Sequence, residues 1–133
     1  MRHQLHTVGV AALLAASLAL PHAAQAAGDA AKGAATFKRH CAICHDTEAG
    51  KNKVGPSLHA VVDRKAGTAD GYKLYRGLRD ATWTWDDATL DAYLTDPAAF
   101  VKSKNGGKSS SMVFKLGSRQ DRDDVIAYLK TLK

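Results

Sequence analysis

Two cysteines and a histidine form the group of residues in this sequence that is best suited to chemistry. Cys41, Cys44 and His45 follow the pattern Cys-x-x-Cys-His, and the chain has no other cysteine. In this spacing two thiols can add across the vinyl groups of a haem while the adjacent imidazole binds its iron. The motif therefore predicts one haem c, attached covalently through Cys41 and Cys44, with His45 as an iron ligand.

Three other roles for the cysteine pair have less support. A thioredoxin-like redox pair needs a strand-then-helix context, which the neighbouring sequence does not show. A zinc site needs a second pair of ligands, and His40 and His59 do not supply one at ligand spacing. A disulfide that closes so short a loop adds little stability and leaves His45 unexplained.

The first 26 residues differ in kind from the rest of the 133-residue chain. Arg2 precedes an apolar run over residues 8–20, and the small residues of 24–26 follow it. The run is about 13 residues long, whereas about 20 are needed to span a bilayer. We therefore expect residues 1–26 to be a cleaved signal peptide, residues 27–133 to form one periplasmic domain, and no stable membrane insertion.

The charge of the exported domain favours a protein partner. It keeps 18 of the 19 basic residues and all 13 acidic ones, so its net charge is about +5. The basic residues are dispersed, and Asp121, Asp123 and Asp124 interleave with them, which is not the pattern of a nucleic-acid site. A modest positive field instead steers encounters with acidic protein surfaces.

Capping signals and periodicity predict a helix at each end of the domain. Asp29 is placed to cap the first helix, and Ser118 begins a capping box with Asp121 at the second. Gly33 inside the first helix costs about 1 kcal/mol relative to alanine, which indicates close packing there. The apolar positions are Ala30, Gly33 and Phe37 in the first helix, and Val125, Leu129 and Leu132 in the second.

In its Cys-x-x-Cys-His motif and its two predicted terminal helices the chain resembles the class I cytochrome c family, in particular the bacterial cytochromes c2 and their mitochondrial relatives. The resemblance implies an all-α fold of about four or five helices around one covalent haem. It also implies that the N- and C-terminal helices cross at positions matching Gly33, Phe37 and Tyr128. Its implied function is that of a soluble, monomeric one-electron carrier and not of an enzyme.

The resemblance assigns the ligand set of the iron. Met112 is the one methionine left once Met1 is removed, and it matches the second axial ligand of the family. A thioether paired with an imidazole raises the haem potential relative to two imidazoles. His59 and Lys108 are the alternative ligands. The carbonyl of Pro56 matches the acceptor of the other N–H of the axial histidine, a bond that fixes the tautomer and strengthens the ligand.

The resemblance also predicts the surroundings of a buried haem propionate and of the methionine. A carboxylate removed from water must be paired or hydrogen-bonded. Leu74 occupies the usual place of a propionate-bonding tyrosine, so either a neighbouring tyrosine substitutes or that bond is absent. The residues concerned are Arg64 and Trp85 at the propionate, Tyr72 or Tyr75 as the substitute, and Tyr93 near the methionine sulfur.

Two segments between the ligands give further expectations. Thr84 is predicted to cap a helix that runs to Thr95, with Leu90, Tyr93 and Leu94 on its apolar face. Residues 101–108 form a polar, glycine-rich insertion relative to the short mitochondrial proteins and are predicted to be a flexible surface loop. Trp83 has no counterpart in the family and is expected to be a surface or core aromatic residue.

The expected partners are redox proteins with acidic docking surfaces, such as a cytochrome bc1-type complex, an oxidase, a reaction centre or a dehydrogenase. Two other functions are compatible with the same fold. One is service as the dedicated acceptor of a single periplasmic dehydrogenase, and the other is a peroxidase-like or gas-binding role if Met112 is labile. Lysines that match or adjoin the docking face of the family are Lys38, Lys51, Lys53, Lys102, Lys104, Lys108 and Lys115.

Overall fold

Four α-helices and their connecting loops make up residues 27–133, the part of the chain that this computed structural model describes. The helices are α1 (Ala30–His40), α2 (Asp87–Thr95), α3 (Pro97–Lys104) and α4 (Arg119–Leu129). The predicted all-α fold of four or five helices is therefore confirmed with four. The predicted signal peptide lies outside the described residues. Within those residues no helix is long and apolar enough to cross a membrane.

The two terminal helices, α1 and α4, pack directly against each other. A Cβ atom on Gly33 would collide with the backbone carbonyl oxygen of Asp124, so the helices approach more closely there than any side chain permits. Beside this point the rings of Phe37 and Tyr128 lie 5.4 Å apart between centroids. The predicted contact of the terminal helices is confirmed, and it explains the glycine inside α1.

The predicted N-cap residues of these helices are also confirmed, although the reciprocal bond of the capping box predicted at Ser118 is not among the contacts of residues 27–133. The side chain of Asp29 accepts hydrogen bonds from the backbone N–H groups of Ala31 and Lys32, and Ser118 accepts one from Asp121. Both caps satisfy donors that a helix leaves without an internal partner. One detail is wrong: α4 ends at Leu129, so Leu132 packs against the core from the segment after the helix.

The beginning of α2 differs from the prediction. Its N-cap is Asp86, not Thr84, because the carboxylate of Asp86 accepts from the Thr89 N–H while the Thr89 hydroxyl bonds back to Asp86. Leu90 and Leu94 are buried as predicted. The backbone at Thr84 is extended and forms an isolated antiparallel bridge with Lys65.

The predicted flexible loop at 101–108 is wrong in its first half. Those residues continue α3, which Asp96 caps from the side chain and Pro97 begins. Proline suits the first turn of a helix because the N–H that it lacks has no partner there. Val101 is fully buried, so α3 is held by the core.

Trp83 belongs to the core. It is 9% exposed and makes edge contacts with the rings of Trp85 and Phe100. Its indole N–H has no hydrogen-bond partner within residues 27–133. These rings form an aromatic cluster with Tyr93, and two members of the cluster, Trp85 and Tyr93, line the main cavity of the domain.

Candidate functional site

A largely apolar cavity of about 370 Å³ lies between the terminal helices, α2 and the loops. Every residue to which the sequence assigned a site role lines it. These are Cys41, Cys44, His45, Pro56, Arg64, Tyr72, Tyr75, Trp85, Tyr93 and Met112. The alternative ligands His59 and Lys108 do not line it. The fold therefore brings together residues that are up to 71 positions apart in the chain.

The two cysteines are free thiols in the turn that follows α1. Burial raises the pKa of the Cys41 thiol to about 11, and the neighbouring Cys44 adds to the rise. A thiol of this kind stays protonated at neutral pH, whereas the reactive cysteine of a redox pair has a lowered pKa. Residues 27–133 also contain no β-strand to build a thioredoxin-like βαβ unit. The chemistry and the fold both disfavour that alternative.

His45 is oriented by the loop that contains Gly55 and Pro56. Its Nδ1 lies 2.7 Å from the carbonyl oxygen of Pro56. Because a carbonyl only accepts hydrogen bonds, Nδ1 carries the proton and Nε2 keeps its lone pair. Burial lowers the pKa of the imidazole, an effect that the Pro56 carbonyl partly offsets. The histidine is thus held in the neutral tautomer that a metal ion can bind.

The backbone at Gly55 lies directly against the His45 ring. A Cβ atom at this position would overlap with the imidazole, and the Gly55 N–H donates to the carbonyl of Cys44 at 2.7 Å. This loop is therefore attached to the cysteine motif on one side and to the histidine ring on the other. The family pattern had pointed to Pro56, but the steric role of Gly55 is visible only in the structure.

Arg64 occupies a polar corner of the cavity. Its guanidinium donates to the carbonyl oxygens of His59 at 2.9 Å and Ser57 at 3.0 Å, and burial lowers its pKa. The hydroxyl of Tyr75 accepts from the Ala69 N–H at 2.8 Å, which leaves its own proton available. The hydroxyl of Tyr72 instead donates its proton to the carbonyl of Val54 at 2.7 Å. Of the two tyrosines, Tyr75 is the free donor.

Met112 is partly buried, and Ser110 orders the backbone around it. The Ser110 hydroxyl accepts from the Met112 N–H at 3.2 Å and donates to the Met112 carbonyl at 2.9 Å. The Tyr93 hydroxyl lies 3.5 Å from the hydroxyl oxygen of Ser110, and burial raises the pKa of the Tyr93 phenol. Sequence reasoning missed Ser110, although it stands two residues before the proposed ligand.

The mouth of the cavity is marked by apolar side chains that line it and are nevertheless open to solvent. They are Val54, Leu74 and Val113, which are 76%, 70% and 84% exposed. Arg76 is exposed and lines the same opening, a cation that sequence reasoning did not single out. A group bound in the cavity would be open to solvent at this mouth.

A haem fits this donor set. Two thiols lie next to the histidine in the lining, the histidine presents Nε2, and a thioether lies in the same cavity. The remaining lining is mostly apolar, with Arg64 and Tyr75 as polar groups suited to carboxylates. Each chemical part of the group thus has a matching residue.

Comparison with known proteins agrees with this reading of the cavity. A family model described as cytochrome c matches residues 30–133. The chain belongs to the cytochrome c family. With this membership, Cys41 and Cys44 are consistent with one covalent haem c, and the chain is a cytochrome c2-like electron carrier, not an enzyme.

Individual relatives cover nearly the whole described domain. Cytochrome c-550 of Novispirillum itersonii is 44% identical over 112 residues, which is 80% of this chain and all of that protein. Cytochrome c2 of Pararhodospirillum photometricum is 43% identical over 113 residues, again 80% of this chain and all of the relative. The solved structure of cytochrome c2 from Rhodospirillum centenum matches with a TM-score of 0.73 at 41% identity, covering 80% of this chain and 99% of that one.

Proposed function

We propose that this cytochrome is a periplasmic one-electron carrier whose haem iron is bound by His45 and Met112. The observation that carries the proposal is the hydrogen bond from His45 Nδ1 to the Pro56 carbonyl. It aims the one neutral ring nitrogen with a free lone pair at the cavity that Cys41, Cys44 and Met112 also line. The haem, when bound, supplies the one-electron chemistry.

The residues of the chain have separate tasks in this proposal. Cys41 and Cys44 would hold the haem, His45 and Met112 would bind its iron, and the apolar lining would exclude water. With both axial positions occupied, no site is left for a substrate on the iron, which favours electron transfer through the exposed haem edge over catalysis.

Arg64 and Tyr75 are proposed to hold a haem propionate, with Trp85 and Tyr93 lining the cavity beside them. Arg64 is fixed by two carbonyl groups and Tyr75 by the Ala69 N–H, so both present donors without further rearrangement. Preorganised donors of this kind offset the cost of burying a carboxylate. Tyr72 is left to support the loop of Val54.

The cellular part of the proposal is that residues 1–26 are removed on export and that the mature domain shuttles electrons between membrane redox complexes. Its partners would present acidic surfaces to the mouth of the cavity, where Arg76 is exposed and Lys73 precedes the exposed Leu74. N-terminal sequencing of the protein from a periplasmic extract tests the export step, with Ala27 expected as the first residue.

The ligand set is tested by replacing Met112 with alanine. We expect the variant to keep its haem through acid-organic extraction, because the thioether bonds remain, but to show a lower potential and an open position that binds cyanide or carbon monoxide. Potentiometric titration and absorption spectra measure both effects. An unchanged potential and spectrum would show that another residue binds the iron, and haem that extracts from the intact protein would disprove covalent attachment.

A further inference from the structure

Residues 105–111, which we call the strap, connect α3 to Met112 and contain the second half of the polar insertion. The side-chain amide of Asn105 donates to two carbonyl oxygens of a distant loop, those of Gly77 at 2.7 Å and Arg79 at 3.0 Å. Lys108 donates to the same Arg79 carbonyl at 2.6 Å and lies 3.5 Å from the Asp80 carboxylate. The strap is thus fastened across the molecule to residues 77–80.

The backbones of the two segments are also in close contact. A Cβ atom on Gly77 would lie 2.6 Å from the carbonyl oxygen of Ser109 and 2.8 Å from Cγ1 of Val101. Val101 is fully buried and sits at the end of α3 from which the strap leaves. The loop at Gly77 therefore has no room to move toward the strap, and the polar bonds keep it from moving away.

The end of the strap is joined to Met112 itself. Ser109 touches the Gly77 loop, and the next residue, Ser110, bonds both the N–H and the carbonyl group of Met112. A movement of the Met112 backbone away from the cavity must break these Ser110 bonds or pull the strap away from residues 77–80. The attachment and the proposed ligand are coupled through only a few residues of chain.

We propose that the strap is a lock on the methionine ligand, with Asn105 as its main positioning residue. The inference rests on the proposed function, in which Met112 binds the iron. A thioether is a weak donor on a flexible side chain, so its retention depends on how firmly the protein holds its loop. By keeping Met112 on the iron, the strap would prevent other ligands from binding there. A gas-binding or peroxidase-like haem protein, in contrast, needs such a free position.

The test is the rate at which cyanide binds to the ferric holoprotein with Asn105→Ala. Cyanide can enter only after Met112 leaves, so its rate reports the population of the open loop. The loss of two neutral hydrogen bonds should raise the cyanide rate about ten-fold or more. Lys108→Ala should act in the same direction. Amide hydrogen exchange at Met112 should also accelerate, a readout that does not involve the iron.

Asn52→Ala is the matched control, because Asn52 also bridges two segments through two hydrogen bonds. It donates to the Asp70 carbonyl at 2.9 Å and accepts from the Ser57 N–H at 2.9 Å, away from the strap. This variant should leave the cyanide rate within about two-fold of wild type. Chemical unfolding of both variants separates a local opening from a general loss of stability.

Two results would overturn the inference. An Asn105→Ala protein that binds cyanide at the wild-type rate would show that the strap does not hold the ligand, as would an equal acceleration by Asn52→Ala. The wild-type ferric spectrum tells this failure apart from failure of the proposed function. If its sulfur-to-iron charge-transfer band is present and disappears in Met112→Ala, the ligand assignment stands without the lock. If wild type lacks that band, both proposals fail.

Discussion

The hydrogen-bonding capacity of single side chains decides several roles that the sequence left open. Tyr72 and Tyr75 are equivalent as residue types and stand three positions apart, so sequence alone offered both as the propionate partner. A phenol has one proton to donate. Tyr72 donates it to the Val54 carbonyl, whereas Tyr75 uses its oxygen as an acceptor and keeps its proton. The difference depends on loop geometry, which no local pattern encodes.

At the same scale, Gly55 limits how the histidine can be held. We expect Gly55→Ala to destabilise the protein by about 1–3 kcal/mol, because the added methyl group overlaps with the His45 ring and the backbone must shift. A longer bond to Pro56 would make the imidazole a weaker donor and raise the reduction potential. Denaturant unfolding and potentiometry of the holoprotein measure these effects.

Gly117→Ala is the control for that substitution, because a Cβ atom at Gly117 meets nothing within 4 Å. It should leave both the potential and the unfolding midpoint close to wild type. If the Gly55→Ala protein has the same reduction potential as wild type, the close packing of Gly55 does not determine the hydrogen bond between the Pro56 carbonyl and His45.

At the scale of elements, two opposing effects act at the contact of α1 and α4 when Gly33 is replaced: a gain in helix propensity and a steric collision. Gly33→Ala should gain about 1 kcal/mol in helix propensity. The added methyl group, however, would collide with the Asp124 carbonyl, a backbone atom that cannot rotate away. We expect the collision to dominate, with a net loss of about 1–3 kcal/mol in the free energy of unfolding.

The control at this crossing is Ala35→Gly on the exposed side of α1. It should cost only the propensity difference of about 1 kcal/mol. Equilibrium denaturation compares the two variants. A Gly33→Ala protein that is as stable as wild type would mean that the helices separate easily at this point, contrary to their close approach.

The same interface contains a carboxylate that should make stability depend on pH. Asp124 is 2% exposed and accepts from the Asp29 N–H and from the Gln120 amide, each at 2.8 Å. The hydrogen bond from the Asp29 backbone N–H is the largest cause that lowers the pKa of the Asp124 carboxyl. The hydrogen bond from the Gln120 side chain is the next, and the charge of Lys32 acts in the same direction. The ionised Asp124 carboxylate therefore stabilises the fold fully above the pKa of the unfolded state, about 3.9. This stabilisation is lost as pH falls through the lower pKa of the folded state.

Asp124→Asn tests this dependence. The variant should unfold at a lower denaturant concentration than wild type at pH 7, and the difference should shrink steadily below about pH 4. Asp70→Asn changes an exposed carboxylate on a loop and should show no such convergence. A constant difference between wild type and Asp124→Asn from pH 7 to pH 2.5 would exclude ionisation of Asp124 as its cause.

Local signals predicted the elements well wherever a cap and an apolar pattern agreed, as at Asp29 and Ser118. The start of α2 was missed although Asp86 and Thr89 have the spacing of a capping box, because Thr84 also suits a cap. The helix α3 was missed although Asp96 and Pro97 are a strong start signal. The fastening of Asn105 to Gly77 could not be predicted, since it joins residues 28 positions apart without any shared pattern.

At the scale of the whole molecule, four of the seven lysines predicted to lie on the docking face are paired with carboxylates. Lys51 and Lys53 pair with Asp46, Lys108 with Asp80 and Lys115 with Asp96. Exposed pairs of this kind add little stability, and each partly cancels the field of its lysine. Two cations without such a pairing within residues 27–133 also adjoin the opening: Arg76, which lines it, and Lys73, which precedes the exposed Leu74.

This arrangement predicts which lysine steers an anionic electron acceptor. Lys73→Glu and Lys130→Glu each change the net charge by two, but Lys73 adjoins the mouth, whereas Lys130 follows the buried Leu129 and pairs with Asp87. With hexacyanoferrate(III) as acceptor, stopped-flow oxidation of the reduced protein at low salt should slow about five-fold in Lys73→Glu and much less in Lys130→Glu. Near physiological ionic strength the difference should shrink, because screening acts beyond about 8 Å.

The cationic acceptor hexaammineruthenium(III) should show the opposite order. Equal slowing by both substitutions would mean that net charge alone controls the rate, and electrons would then have no preferred exit at the mouth.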